Sequence, residues 1–111
     1  MSLYDASQHL PEEYTSQTWE VIGREMQRIL DSECPNDLRT SIISVAGLQN
    51  IKQLHPAIKS TAQQYENDSV RLAAIASLGH YAFNPDKPLL QSIANSNSKF
   101  SYAAKSALQQ F

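Results

Sequence analysis

Apolar positions recur every three to four residues along most of the chain, which predicts helices. Residues 18–31, TWEVIGREMQRILD, show the pattern most plainly, because charged residues occupy a different side from the apolar stripe. The stripe consists of Trp19, Ile22, Met26, Ile29 and Leu30. No window of the sequence alternates apolar and polar residues long enough to predict a strand. The sequence therefore predicts an all-α fold.

Three segments repeat one another at spacings of 30 to 32 residues: DLRTSIISVAG (37–47), SVRLAAIASLG (69–79) and KFSYAAKSAL (99–108). At an offset of 32, Gly47 falls on Gly79. The intervening segments match as well, since PAIKSTA at 56–62 aligns with PLLQSIA at 88–94. A period of this length is typical of an α-solenoid, in which each repeat is a pair of helices.

The predicted architecture is an α-solenoid of about three helix pairs in one domain, residues 1–111. An N-terminal arm or short helix (1–15) comes before three repeats, at about 16–52, 53–83 and 84–111. First helices are expected at 16–32, 56–67 and 86–96, and second helices at 36–52, 68–83 and 98–110. Predicted N-caps are Asp37, Asp68 and either Asn97 or Ser98. Pro56 and Pro88 are expected to open helices, where a missing N–H costs nothing.

The middle second helix, 68–83, is expected to be the most enclosed element, because it is almost free of charge and has a repeat on either side. Gly47 and Gly79 are expected to let neighbouring backbones approach, since glycine inside a helix costs about 1 kcal/mol relative to alanine. A compact three- or four-helix bundle is the competing architecture. A bundle would need neither the internal repeat nor the apolar middle helix.

The repeated segment resembles the HEAT-like repeats, in particular the short type first described in phycobilin lyases. In that type an Asp, a Val-Arg, an Ala-Ala and a Leu-Gly mark the second helix. The matching residues here are Asp68, Val70, Arg71, Ala73, Ala74, Leu78 and Gly79. Ser101 replaces the arginine in the third repeat, and Ser41-Ile42 replaces the alanine pair in the first. The resemblance covers about residues 20–111 and implies a binding scaffold without naming its partner.

Composition places the chain among globular proteins. It has 111 residues, of which 18% are charged, and a net charge of −2, so no bulk attraction to nucleic acid or to an anionic membrane is expected. No apolar stretch approaches the ~20 residues of a membrane span, and the N-terminus has no signal-peptide pattern. The single cysteine, Cys34, leaves no partner for an internal disulfide. These features predict a cytoplasmic protein that is monomeric when free.

Residues that could carry chemistry are few and scattered. His9, His55 and His80 lack the spacing of a helical metal pair, and His55 is expected to be exposed in a turn before Pro56. The glycines are isolated and form no phosphate-binding loop. The lysines are spread along the chain without a basic helix. The sequence therefore indicates no enzyme activity, no metal, no cofactor and no direct contact with nucleic acid.

The first third of the chain is acidic, since residues 1–34 hold seven acids against two arginines. A solvated helix face explains this without any partner, whereas an acidic surface for a basic protein is the functional interpretation. In size and character the chain is similar to bacterial toxin-immunity proteins. We therefore expect a protein-binding inhibitory module whose partner is a basic, nuclease toxin domain. A HEAT-like adaptor or assembly scaffold in a larger complex is the alternative.

Residues predicted to bind the partner come from the acidic third and from the second helices. They are Glu12, Glu13, Tyr14, Glu20, Asp31, Glu33, Thr40 and Tyr102. By repeat alignment Thr40, Leu72 and Tyr102 fall in register near the starts of the second helices. Leu72 is nevertheless expected to pack between repeats, and Trp19 and Phe83 are expected in the core.

Overall fold

The structure, a computed structural model, describes residues 12–111, with side chains from residue 18 onward. These residues contain six α-helices and no strand, which confirms the all-α prediction. The helices are α1 (Glu12–Asp31), α2 (Asn36–Leu48), α3 (His55–Gln64), α4 (Asp68–Tyr81), α5 (Lys87–Ala94) and α6 (Ser101–Leu108). Single-turn 3₁₀ helices, Lys52–Leu54 and Asn84–Asp86, precede α3 and α5. The predicted arm lies largely outside the described residues, although α1 already begins at Glu12 rather than at 16.

The helix starts agree with the prolines of the sequence but not with the predicted caps. Pro56 and Pro88 lie in the first turns of α3 and α5. At α4 the N-cap is Asn67, whose Oδ1 accepts a hydrogen bond from the backbone N–H of Val70 at 3.1 Å, so Asp68 is already helical.

The other two predicted caps are also displaced. Asp37 lies within the first turn of α2, where the positive end of the helix dipole stabilises its charge, and Pro35 takes the N-cap position. Asn97 and Ser98 lie before a turn that delays α6 until Ser101.

α2, α4 and α6 lie side by side and run in the same direction. Tyr65, just before α4, contacts Asn36 at the start of α2, while Ser77 of α4 packs on Gly47 near the end of α2. Between α4 and α6, Asp68 pairs with Lys99 near the starts. Near the ends, Gly79 packs on Ala107.

Both close approaches predicted for glycine are confirmed. A Cβ atom at Gly47 would lie 2.9 Å from Ser77 Cα, and one at Gly79 would lie 2.8 Å from Ala107 Cα. Real Cβ atoms essentially never come so near another backbone. Each contact therefore requires a residue without a side chain.

The core is centred on α4, which packs against α2, α3 and α6. Its fully buried apolar side chains are Val70, Ala74, Ile75 and Leu78. A narrow stripe of α4 (Leu72, Ala76 and His80) is exposed, so the expectation of an almost enclosed helix is wrong along that stripe, as is the expected packing of Leu72. The stripe is exposed because the neighbouring helices pack on the other sides of α4.

Of the two aromatic residues expected in the core, Trp19 packs against it while partly buried. Phe83 is 51% exposed, so that expectation is wrong. Ala82, with its left-handed backbone (φ 49°), ends α4 and turns the chain before Phe83 can continue the helix. None of the helices within residues 12–111 is long and apolar enough to cross a membrane.

Candidate functional site

The turns that lead into α2, α4 and α6 lie next to one another along one edge of the molecule. The Tyr65 hydroxyl lies 3.4 Å from Asn36 Oδ1, which places the α3–α4 turn beside the start of α2. Lys99 Nζ pairs with Asp68 Oδ2, which places the α5–α6 turn beside the start of α4. We call residues 31–37, 65–68 and 97–101 together the loop edge.

Two arginines at equivalent repeat positions hold the helix pairs together at the loop edge. Arg39 donates to the carbonyls of Leu30 (2.9 Å) and Ser32 (3.0 Å) at the end of α1. Arg71 Nε donates to the carbonyl of Ala62 (3.0 Å) near the end of α3. These carbonyls have no partner within their own helices, so the guanidinium groups satisfy them. Both arginine side chains are consequently half-buried, and Arg39 also lies over the Tyr65 ring of the loop edge, 5.3 Å from its centroid.

The third repeat, which lacks this arginine, uses a shorter side chain for the same purpose. Ser101 Oγ donates to the carbonyl of Ile93, near the end of α5, at 3.2 Å. Arg71 adds a contact across repeats, because its guanidinium lies 4.4 Å from the centroid of the Phe100 ring. The loop edge is therefore built in the same way in all three helix pairs.

Carboxylates dominate the exposed surface of the loop edge. The exposed acidic residues are Asp31, Glu33, Asp37, Glu66 and Asp68. Lys99 is the exposed cation of this edge, and it is engaged by Asp68. With Lys99 and the two half-buried arginines counted against these five carboxylates, the loop edge keeps a net charge of −2 and presents a negative surface.

The structure places four of the residues predicted to bind a partner in or near the loop edge. Asp31 and Glu33 belong to the loop edge, Thr40 lies in the second turn of α2, and Tyr102 lies in the first turn of α6. Tyr102 is 81% exposed, whereas Thr40 is half-buried.

Glu20 lies elsewhere on the surface. Its backbone carbonyl accepts a hydrogen bond from Gln53, in the turn at the opposite end of the helix pair, about 16 Å along α1 from Asp31. Glu25, also exposed on α1, is hydrogen bonded to Arg28, and this contact lowers the pKa of Glu25. The side chains of Glu12, Glu13 and Tyr14 are outside the described residues.

A buried ionic cluster joins the second and third helix pairs at the end opposite the loop edge. His55 Nε2 lies 2.6 Å from Asp86 Oδ2, and Asp86 is fully buried. Lys59 Nζ lies 3.2 Å from Asp86 Oδ1, close enough for an ion pair although without hydrogen-bond alignment. The rings of Tyr81 and Phe83 meet the His55 ring edge-on, each with centroids 5.2 Å apart.

His55 is therefore not the exposed turn residue that the sequence predicted. The reason is Asp86, which the sequence analysis did not single out. At the repeat offset of 32, Asp86 falls on Leu54, a fully buried core residue. A carboxylate at a core position needs a buried partner. That register mismatch is the signal from which the cluster could have been found.

Tyr81, next to this cluster, donates its hydroxyl to the carbonyl of Ile51 at 2.7 Å, and burial raises the pKa of Tyr81. Above about pH 10 the unfolded chain loses this proton while the folded chain keeps it, so the free energy of unfolding falls as pH rises. The slope from this group is at most ~1.4 kcal/mol per pH unit, and it is smaller because the ring is partly exposed.

Urea unfolding of the wild type and of Tyr81→Phe, between about pH 8 and about pH 11, checks this dependence. We expect the wild type to lose stability more steeply than the variant above about pH 10. Equal slopes for the two proteins would contradict it. The comparison cancels the contributions of the other tyrosines and of the lysines, because both proteins contain them.

Comparison with protein-family models, with curated proteins and with solved structures finds no match to this chain. Within the described residues, no three His, Cys, Asp or Glu side chains are grouped so that they could hold a metal ion. The site is therefore characterised by its own geometry: a negative loop edge at one end of the helix pairs, and a buried ionic cluster at the other.

Proposed function

We propose that this chain is an α-solenoid of three HEAT-like helix pairs that binds and inhibits another protein. More specifically, we propose that it is an immunity protein that neutralises a basic nuclease toxin domain. The binding surface is the loop edge together with the exposed row formed by Thr40, Leu72 and Tyr102.

The common construction of the helix pairs supports the solenoid. Arg39, Arg71 and Ser101 each bind a carbonyl near the end of the preceding helix. Gly47 and Gly79 each accept the next second helix at the same repeat position. A repeated contact of this kind is what a stack of equivalent units requires.

The loop edge is the single observation that carries the proposed function. Five exposed carboxylates at residues 31–37 and 65–68 stand against Lys99, which Asp68 already engages, and against two half-buried arginines. A nuclease carries a cationic surface where it holds nucleic acid. A negative edge attracts such a surface over distances of about one Debye length, which raises the association rate and disfavours acidic partners.

The exposed row next to this edge supplies the apolar contact that electrostatic attraction lacks. Tyr102 projects from the first turn of α6 with most of its surface in solvent, and Leu72 lies at the equivalent register of α4. Tyrosine is among the residues that most often dominate interface energy. In this arrangement the carboxylates govern the encounter, and Tyr102 contributes to the lifetime of the complex.

An adaptor or assembly scaffold is the second candidate, and exposed apolar residues favour it. Leu48, at the end of α2, and Val21, on α1, are both exposed and lie outside the loop edge. An adaptor that docks through such groups binds with little dependence on salt. A complex made through the loop edge weakens as salt rises.

Charge reversal tests the loop edge. We expect Glu33→Lys with Glu66→Lys to slow association with a basic nuclease toxin domain about tenfold at low salt. The control, Glu20→Lys with Glu25→Lys, makes the same change in net charge on α1. It should slow association much less, because these residues lie outside the loop edge. Stopped-flow or surface plasmon resonance at two salt concentrations measures both pairs.

The association rates of the two charge-reversal pairs distinguish the two candidate functions. Equal slowing by both pairs would show that overall charge, rather than the loop edge, steers the partner. An unchanged rate with the loop-edge pair, together with binding insensitive to salt, would favour the adaptor. If no basic toxin domain from the organism's own genome binds, the immunity proposal is wrong.

A further inference from the structure

A pocket lies next to the buried ionic cluster, at the end of the molecule opposite the loop edge. Its volume is about 510 Å³, within the range of sites that hold one small molecule. The lining residues come from the two turns that follow α2 and α4 and from the start of α3: Asn50, Lys52, His55, Tyr81, Ala82, Phe83, Asn84 and Pro85.

The charges of this pocket favour an anion. Lys52 and His55 line it, and none of the lining residues is acidic. Lys52 forms no ion pair within the part of the chain whose side chains are described. Asp86 lies behind His55, where it is engaged by His55 and Lys59.

His55 is held in place for such a role. Asp86 fixes its ring through Nε2, and the rings of Tyr81 and Phe83 pack edge-on against it. Within the described residues Nδ1, the other polar atom of the ring, forms no hydrogen bond. Because Nε2 donates to Asp86, Nδ1 can donate to an anion when the ring carries both protons, and the buried carboxylate orients the ring for that contact.

The walls of the pocket favour an apolar, planar body. Tyr81 and Phe83 contribute aromatic surface, and Pro85 and Ala82 contribute aliphatic surface. Half of the Phe83 side chain remains in solvent at a place where the sequence predicted core packing. The carboxamides of Asn50 and Asn84 provide additional donors and acceptors.

We propose that the pocket between the Ile51–His55 turn and the Tyr81–Pro85 turn binds an aromatic carboxylate, with the carboxylate on Lys52 and on Nδ1–H of the doubly protonated His55 ring, and the aromatic ring against Tyr81 and Phe83. This site is separate from the loop edge and does not depend on the function proposed for it. A free aromatic acid and the C-terminal aromatic residue of a polypeptide present the same chemistry.

Titration of the ¹⁵N-labelled protein with benzoate tests the site by NMR. Benzamide lacks the charge and acetate lacks the ring. We expect benzoate to cause saturable shifts of the backbone amides of residues 50–55 and 81–84 in the millimolar range, with the two analogues at least about tenfold weaker. No saturable shift at these amides up to about 20 mM benzoate would overturn the proposal.

Two variants examine the roles of charge and ring. Lys52→Met should weaken benzoate about fivefold and leave benzamide unchanged, because it removes the ammonium but keeps most of the chain. Phe83→Ser should weaken both ligands. Lys105→Met, on the exposed surface of α6, is the matched control and should change neither. Unchanged benzoate affinity in Lys52→Met would show that the anion is not bound there.

A second titration distinguishes the two sources of the ligand. The probes are a tripeptide that ends in phenylalanine with a free carboxylate, and the same peptide as its C-terminal amide. If the free acid binds more tightly than benzoate at the same amides, the occupant is a polypeptide C-terminus. If it binds more weakly, the occupant is a free aromatic acid.

Discussion

Asp86→Ala should lower the free energy of unfolding by about 3 kcal/mol, because it removes the buried carboxylate and leaves the His55 ring and the Lys59 ammonium without their partner. His55 is 15% exposed, so it regains little hydration when Asp86 is lost. Lys59 is 36% exposed and regains more, which keeps the loss in the lower part of the range for broken buried pairs. Urea unfolding followed by circular dichroism measures the change.

The matched control is Asp68→Ala, which also removes an aspartate that is paired with a lysine. That pair lies in solvent, so we expect a loss of no more than about 0.5 kcal/mol. The difference between the two variants isolates the contribution of burial. Similar losses for Asp86→Ala and Asp68→Ala would show that the cluster adds nothing beyond a surface ion pair.

A double-mutant cycle assigns the effect to the pair rather than to the cavity. If His55 and Asp86 act together, His55→Leu with Asp86→Leu should be less destabilised than the sum of the single variants, by about 1–3 kcal/mol. Leucine is the appropriate replacement, because Leu54 fills the equivalent position of the preceding repeat and is fully buried. Additive losses would indicate that the 2.6 Å contact contributes no coupling of its own.

The architecture could be predicted from the sequence where local patterns determine it. The spacing of apolar residues fixes the helices, and the prolines at 56 and 88 fix where two of them begin. Gly47 and Gly79 could be assigned to close contacts because a glycine inside a helix is unfavourable unless something requires it. In each case the cause lies in the residue itself or within one helical turn of it.

The features that the sequence did not predict depend on distant residues. His55 is partly buried, and its partner Asp86 comes 31 positions later in the chain. Leu72 is exposed because none of the helices within residues 12–111 packs on that stripe of α4, and composition alone does not show this. The N-cap of α4 depends on both local and distant residues. Asn67 and Asp68 are both favourable N-cap residues, and the register of the turn before α4 determines that Asn67 is the N-cap.

Only part of the candidate site could be predicted from the sequence, because distant contacts bring some of its residues to the loop edge. Asp31 and Glu33 could be singled out from the charge of the first third of the chain. Glu66 and Asp68 could not, because the contact between Tyr65 and Asn36 is what brings their turn to the same edge. The role of Arg39 and Arg71 as partners of helix-end carbonyls likewise requires the end of the preceding helix to be in place.

Gly79→Ala should lower the free energy of unfolding by about 1–3 kcal/mol, although alanine is the better helix former by about 1 kcal/mol. The new methyl group would lie 2.8 Å from Ala107 Cα and 3.0 Å from the Ala107 carbonyl oxygen. These are backbone atoms, so α4 and α6 must move apart, and contacts along the whole interface are weakened. Urea unfolding of the variant beside the wild type measures the loss.

Two further variants separate crowding from helix propensity. Ala76→Gly, on the exposed stripe of the same helix, gives the propensity difference alone and should cost about 1 kcal/mol or less. Gly79→Ala with Ala107→Gly removes the opposing Cβ but not the opposing Cα, so it should recover only part of the loss. If Gly79→Ala is instead as stable as the wild type, the two helices are not held at this separation, and the close stacking on which the solenoid proposal depends is wrong.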